Sequence, residues 1–201
     1  MIHQRIRKAR AIDAATPWHS RGYLPHFDGD VVQFVTYRLA DSLPKTFLRT
    51  LKWRLDNKQI TDVEYYREVE SYLDLVQGPA YLGLDTIATL VMENLLRFDD
   101  VKYKLLHWVV MPNHVHILIQ PNDGISLSSI VHSAKSYTAN RANELLNRSG
   151  RFWSIESYDR YIRDGRHFGN TVRYIHENPV KAGLCDKPED WKFSCASRHE
   201  C

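Results

Sequence analysis

The chain has 201 residues, of which 43% are hydrophobic, 25% charged and 11% aromatic; this length suits one domain and this composition can bury a core, so two large independent domains, a disordered chain and a disulfide-stapled miniprotein are excluded. The formal net charge of +3 is unevenly spread: residues 1–10 hold four basic side chains and no acid, residues 135–173 hold eight against four acids, and the remainder holds 15 basic against 20 acidic. No apolar run approaches the roughly 20 residues that cross a bilayer, and the N-terminus lacks the apolar stretch of a secretory signal, so the cytoplasm is the expected location, with no membrane partner. Three cysteines, Cys185, Cys195 and Cys201, argue against a disulfide framework and suit a reducing compartment. Cys195, His199 and Cys201 contain no Cys-x2-Cys pair, which leaves them without the spacing of a metal site.

In chain order, Val31 to Arg38 is rich in β-branched and aromatic residues and predicts a strand. Pro44 opens a helix over Lys45–Lys58, and Thr61 with Glu64 three residues on makes a capping box for a second helix to about Val76. Ile87, Leu90, Val91 and Leu95 fall at helical spacing within a third helix, Asp85–Phe98. Strands are expected over Tyr103–Met111 and His114–Gln120, joined as an antiparallel hairpin by the turn chemistry of Pro112-Asn113. A long helix should span Ser126–Leu146, with Leu127, Ile130, Val131, Ala134, Thr138 and Leu145 on one face. The aromatic stretch Arg151 to Ile162 leads to a last helix, which begins near Asp164 or Arg166 and is expected to stop at Asn178 because Pro179 follows. Segregated strands and helices around a central hairpin predict an α+β architecture, helices covering an antiparallel sheet.

His114 and His116 flank a valine on a predicted strand, so both imidazoles share one face while Val115 and Ile117 enter the other. Two readings stand side by side: satisfied polar residues on a half-exposed strand, or half of a divalent-metal or phosphate site. Tyr174 and Asn178 lie four apart, one helical turn, on the same surface of the last helix, where an amide oxygen would reach a metal while a phenol meets a bound phosphate; the competing reading of Tyr174 is a core aromatic. The basic segment 135–173 is also rich in aromatics, among them Tyr137, Trp153, Tyr158 and Tyr161. Cations mixed with flat apolar rings suit unstacked single-stranded nucleic acid, and equally a solvated basic face over an aromatic core.

Three stretches together, Trp108-Val-Val-Met-Pro-Asn-His-Val-His-Ile-Leu118, Ser157-Tyr-Asp-Arg-Tyr-Ile-Arg-Asp164 and Arg173-Tyr-Ile-His-Glu-Asn-Pro-Val-Lys-Ala-Gly-Leu184, resemble the single-tyrosine transposases of the His-hydrophobe-His (HUH) superfamily, most closely the REP-associated tyrosine transposases. The resemblance runs from about Arg21 to Arg198. It implies a ferredoxin-like or RRM-like antiparallel sheet bearing the histidines, with a helical insertion at about 45–80 after the first strand; residues 1–20 would be a basic arm and 21–201 a single transposase domain. Residue by residue, His114 and His116 match the metal-binding pair, Asn178 the third ligand and Tyr174 the nucleophile.

The implied reaction is cleavage and rejoining of single-stranded DNA hairpins through a 5′-phosphotyrosine, with Mg2+ or Mn2+ offsetting the charge that grows on the phosphate. DNA-binding candidates are Arg5 and Arg7 of the arm, Lys135 of the long helix, and Arg160 and Arg163 of the Tyr-Asp-Arg-Tyr-Ile-Arg motif; the alternative for each is solubility and ion pairing. The resemblance is compatible with a monomer or a homodimer. Two other functions are weighed. A histidine-triad nucleotide hydrolase needs a third alternating histidine, and that position is Leu118; a domesticated hairpin-binding regulator would keep the DNA affinity and cut little.

Overall fold

The structure, a computed structural model, describes residues 18–20, 25–27 and 30–198. Arg5, Arg7 and Cys201 lie outside the described residues. Two short strands, β1 (Trp18–Ser20) and β2 (Pro25–Phe27), pair antiparallel with one another. The main sheet has four strands in the order β4-β5-β3-β6, every neighbouring pair antiparallel: β3 (Gln33–Leu39), β4 (Tyr103–Val110), β5 (His114–Pro121) and β6 (Trp153–Tyr161). The β4–β5 hairpin closes at Pro112-Asn113, where the Met111 amide donates to the His114 carbonyl at 2.8 Å. This is the turn expected from the sequence.

The helices are α1 (Lys45–Asp56), α2 (Asp62–Asp74), α3 (Asp85–Arg97), α4 (Leu127–Leu145), α5 (Gly165–Lys181) and the single turn α6 (Cys195–Arg198). The capping box at α2 is formed in both directions: Thr61 Oγ1 accepts from the Glu64 amide and the Glu64 carboxylate accepts from the Thr61 amide. Ser126 caps α4 and Asp164 caps α5 by accepting amide hydrogen bonds from the first turn.

Alternation along the strands divides the core. On one face Val35, Tyr37, Val115, Ile117 and Ile119 pack against Ile87 and Val91 of α3 and Ile130 and Val131 of α4. On the other, Phe34, Val109, Leu118 and Ile162 pack against Ile175 of α5. A third cluster, Leu51, Ile60, Tyr65 and Tyr66, holds α1 and α2 together and meets the sheet at Tyr158 of β6. The sheet is therefore covered on both faces. No helix among the described residues is long and apolar enough to cross a membrane.

Two differences from the sequence reading affect the site. Helix α5 does not stop at Asn178: it runs through Pro179 to Lys181. Pro179 removes only the bond its own missing N–H would have made, and the Ala182 amide still reaches the Asn178 carbonyl at 3.0 Å while that of Leu184 reaches the Pro179 carbonyl at 2.9 Å. Burial of Ile175, Asn178 and Pro179 in the same turns offsets the loss. Asn178 is thus a fully buried helical residue and not a frayed end. The second difference is β6, a strand the sequence reading did not assign. Among the described residues it pairs with β3 alone, and its residues after Trp153 are mostly half-buried, so no period-two pattern marks it.

Candidate active site

Strand β5 sets the first part of the site. His114 and His116 point toward α5 and both are 0% exposed. Their outer nitrogens are held. Asn113 donates its amide Nδ2 to the Leu73 carbonyl at 3.0 Å, so its Oδ1 is the acceptor that meets His114 Nδ1 at 2.6 Å. Thr36, the cross-strand partner of His116 on β3, places Oγ1 2.7 Å from His116 Nδ1. The inner nitrogens then face one another, Nε2 to Nε2 at 2.9 Å. Burial drives His114 down to about 3 and His116 well below the ordinary value, the latter helped by its neighbour His114, so both rings are neutral. Neutral imidazoles with oriented outer nitrogens are what a divalent ion requires. Two adjacent ligands at about 2.0–2.1 Å in an octahedral site are themselves about 2.9 Å apart.

Helix α5 sets the second part. Tyr174 places its hydroxyl 3.5 Å from His116 Nε2, its ring edge-on to both His116 and Phe34. One turn on, Asn178 donates Nδ2 to Asp74 Oδ1 at 3.1 Å, while its own Oδ1 is buried with no hydrogen-bond partner. An amide oxygen without a hydrogen-bond partner, beside two neutral imidazoles that have only each other and the Tyr174 hydroxyl at their inner nitrogens, fits a hard divalent cation, which would satisfy all three residues at once. The sequence-predicted set of His114, His116, Tyr174 and Asn178 is brought together within one chain.

The third part comes from α2, and the sequence reading missed it. Glu70 hydrogen-bonds the Tyr174 hydroxyl, and its Oε1 is buried without a partner. Burial, with the charge of Asp74 one turn away, pushes the Glu70 carboxyl up to about 7, and burial raises Asp74 too. The Tyr174 phenol is held far above its ordinary value by burial first and by the negative charge of Glu70 and Asp74 next. The signal for these two acids is an i,i+4 carboxylate pair on a helix that also presents buried Tyr66 and Leu73. Thr36 and Asn113 were missed as well; their cue is adjacency, Asn113 in sequence and Thr36 across the ladder.

The proposed DNA contacts do not converge on one spot. Arg160 of β6 is half-buried, opposite Phe34 on the face that carries the histidines. Arg163 is exposed just before α5. Lys135 sits on α4, which packs on the other face of the sheet, and donates Nζ to the Ile155 carbonyl at 3.0 Å. Leu118, at the place a third histidine would need, is part of the apolar core.

A separate cluster joins His107 of β4, His176 of α5 and Cys195 of α6. His107 Nδ1 lies 3.1 Å from His176 Nε2, and Cys195 Sγ lies 3.8 Å and 3.6 Å from them. Side chains of these three kinds hold a metal ion only where the cysteine is a free thiolate. Cys195 is disulfide-bonded, where the cysteine count had argued against a disulfide framework, and Cys185 is free.

The family described as IS200-like transposases matches residues 91–178, a span that opens in α3 and closes on Asn178. Two curated relatives align over 100 residues each: a Haemophilus influenzae protein provisionally named a REP-associated tyrosine transposase, 28% identical over 44% of this chain and 56% of that one, and the Escherichia coli K12 REP-associated tyrosine transposase, 30% identical over 49% and 58%. The chain thus spans little more than half the length of these relatives. A solved REP-associated tyrosine transposase bound to a REP hairpin superposes with a TM-score of 0.57 at 19% identity, covering 90% of this chain and 82% of that one, and so shares the fold. The resemblance carried by the sequence motifs stands: residues 91–178 are similar to IS200-like transposases, and the chain is similar to REP-associated tyrosine transposases.

Proposed function

We propose that the protein is a transposase that cuts and rejoins single-stranded DNA at hairpins, with Tyr174 as nucleophile. The observation that carries this reading is the meeting of the Tyr174 hydroxyl with His116 Nε2 at 3.5 Å, beside the unpartnered Oδ1 of Asn178. His114, His116 and Asn178 are the residues that would hold Mg2+ or Mn2+, and such an ion supplies positive charge that polarises a nonbridging phosphate oxygen.

The chain's own residues account for the rest. Burial and two acids keep the phenol protonated, so Tyr174 is inert until phosphate and cation arrive. Glu70 already accepts the hydroxyl's hydrogen bond and is the group placed to take its proton. A bond then forms from the Tyr174 oxygen to phosphorus, the bond from phosphorus to the 3′ oxygen breaks, and that oxygen leaves as a hydroxyl after receiving a proton from Glu70 or water. The phosphotyrosine conserves the phosphodiester's energy, so a later 3′ hydroxyl restores a DNA strand without ATP. Because Tyr174 reaches the histidines of its own chain, a monomer holds the full set of groups.

The test is incubation with single-stranded hairpin oligonucleotides and Mn2+, followed by a denaturing gel. A covalent protein–DNA band is expected from the unmodified chain, and none from Tyr174→Phe, which should still bind the hairpin. If no hairpin of the host genome gives that band, the cleavage reading fails and a hairpin-binding regulator takes its place.

A further inference from the structure

The insertion formed by α1 and α2 does more than deliver Glu70. Between these helices, β3 and β6 lies a cavity of about 480 Å3, lined by four basic side chains, Arg38, Lys45, Arg49 and Lys52, and two carboxylates, Glu70 and Glu156. Its size falls in the range of small-ligand sites. The apolar part of the wall is partly aliphatic, from Leu48, Val69 and Leu73, and partly aromatic: Tyr66 of α2 and Tyr158 of β6 pack with ring centroids 3.6 Å apart.

The carboxylates are informative because they are incompletely met. Glu70 Oε1 and Glu156 Oε2 are both buried and have no hydrogen-bond partner. Buried acceptors in that state call for N–H or O–H donors. A simple anion would suit the four cations and be repelled by the two acids, and a metal ion would suit the acids and be repelled by the cations. A nucleotide answers both, since its phosphate is an anion and the edge of an amino-bearing base is a row of N–H donors; carboxylates are known acceptors for such an edge. Aromatic walls add stacking, which any base can use.

The cavity also touches the cleavage centre. Thr36 lines it and holds His116 Nδ1, and Glu70 lines it and holds the Tyr174 hydroxyl. We propose that this cavity binds one unstacked nucleotide of the DNA strand beside the scissile phosphate and selects bases carrying an exocyclic amino group, with Glu156 as the specificity-determining acceptor. The inference rests on the single-stranded-DNA reading above. The helical insertion is then the element that reads one base next to the cut.

The test uses binding and not cleavage. The four deoxynucleoside 5′-monophosphates are titrated into the full chain without divalent ions, by calorimetry or by chemical-shift perturbation. dGMP, dAMP and dCMP are expected to bind about tenfold or more tighter than dTMP. Glu156→Gln replaces a pure acceptor with a side chain that also donates, so it should narrow that gap by raising dTMP affinity, while exposed Arg49→Ala should weaken all four alike. Equal affinities for the four, or a preference that Glu156→Gln leaves intact, overturn the proposal. The two readings fail separately: an adduct-forming protein without base preference sinks the pocket alone, and a protein with this preference that forms no adduct sinks the cleavage reading alone.

Discussion

Strand β5 carries two chemistries one residue apart. Val115, Ile117 and Ile119 enter the apolar layer beneath α3 and α4, while His114, His116 and Leu118 face α5. None of the six is more than 2% exposed, so burial alone does not tell the faces apart. What differs is whether the neighbours complete each group. On the first face the contacts are mainly apolar, and the polar atoms buried among them are paired, Trp153 Nε1 with Thr138 Oγ1 and the Tyr103 hydroxyl with the Leu95 carbonyl. On the second, two Nε2 atoms confront one another, and Asn178 Oδ1 and Glu70 Oε1 have no partner. Buried polar networks that are only partly satisfied weaken a fold, and they persist where a ligand completes them. One face thus holds the domain together, and the other carries the groups that the proposed ion and phosphate would complete.

Matched substitutions on that strand separate the two roles. His116→Phe keeps an aromatic ring beside Phe34 but removes an Nε2, so adduct formation should fall by about a thousandfold, in line with the several kcal/mol a Lewis acid contributes. Its thermal midpoint should stay close to that of the unmodified chain. Ile117→Ala, one residue on, should do the reverse: about 2–5 kcal/mol of stability is lost through the cavity it leaves. Adduct yield per folded molecule should hold. Urea titration and a denaturing gel on both variants decide it, and a His116→Phe chain that unfolds as readily as Ile117→Ala would erase the distinction.

The sequence made the histidine face legible because a strand has a period of two and Pro112-Asn113 fixed where it starts. The Tyr174–Asn178 pair was legible from helical period, and both motifs lie on elements whose ends have local causes such as the Asp164 cap. Glu70 and Asp74 were not legible as site residues: they reach Tyr174 and Asn178 across about a hundred residues of chain, and nothing local tells an inward acid from a solvated one. β6 escaped because an edge strand with half-buried residues lacks alternation. Pro179 misled because its cost is local, while the burial that offsets it is tertiary.

Glu70 offers a finer probe of the polar face. Its carboxyl is pushed up to about 7, above the ordinary value of a glutamate, so the folded chain binds that proton more tightly than the unfolded one. The sign follows: this contribution is fully present below about pH 4.5 and is lost as pH rises through about 7. Over that window the loss amounts to about 3 kcal/mol. His114, held near 3, acts in the opposite direction below about pH 6.5, but that effect is common to both proteins when Glu70→Gln is compared with the unmodified chain. Without divalent ions, urea-derived stability of Glu70→Gln relative to the unmodified chain should therefore rise between pH 4.5 and pH 8. A constant difference across this range would mean that Glu70 is solvated and that the polar face does not extend to α2.

The smallest effect belongs to the start of α2. Thr61→Ala removes the acceptor for the Glu64 amide, at a cost of about 1 kcal/mol. The cap is exposed and lies more than two turns from Glu70, whereas the C-terminal half of the helix is anchored by buried Tyr66 and Leu73 and by the Asp74–Asn178 hydrogen bond. Fraying should therefore stay in the first turn, with faster amide exchange over residues 62–65, little change over 66–74, and adduct formation within about twofold of the unmodified chain. If exchange over 66–74 accelerates equally, α2 opens as one unit, and Tyr174 depends on the whole insertion for its hydrogen-bond acceptor. The polar face would then draw on helix propensity as well as on side-chain placement, a dependence the apolar face, closed by long-range packing of α3 and α4, does not share.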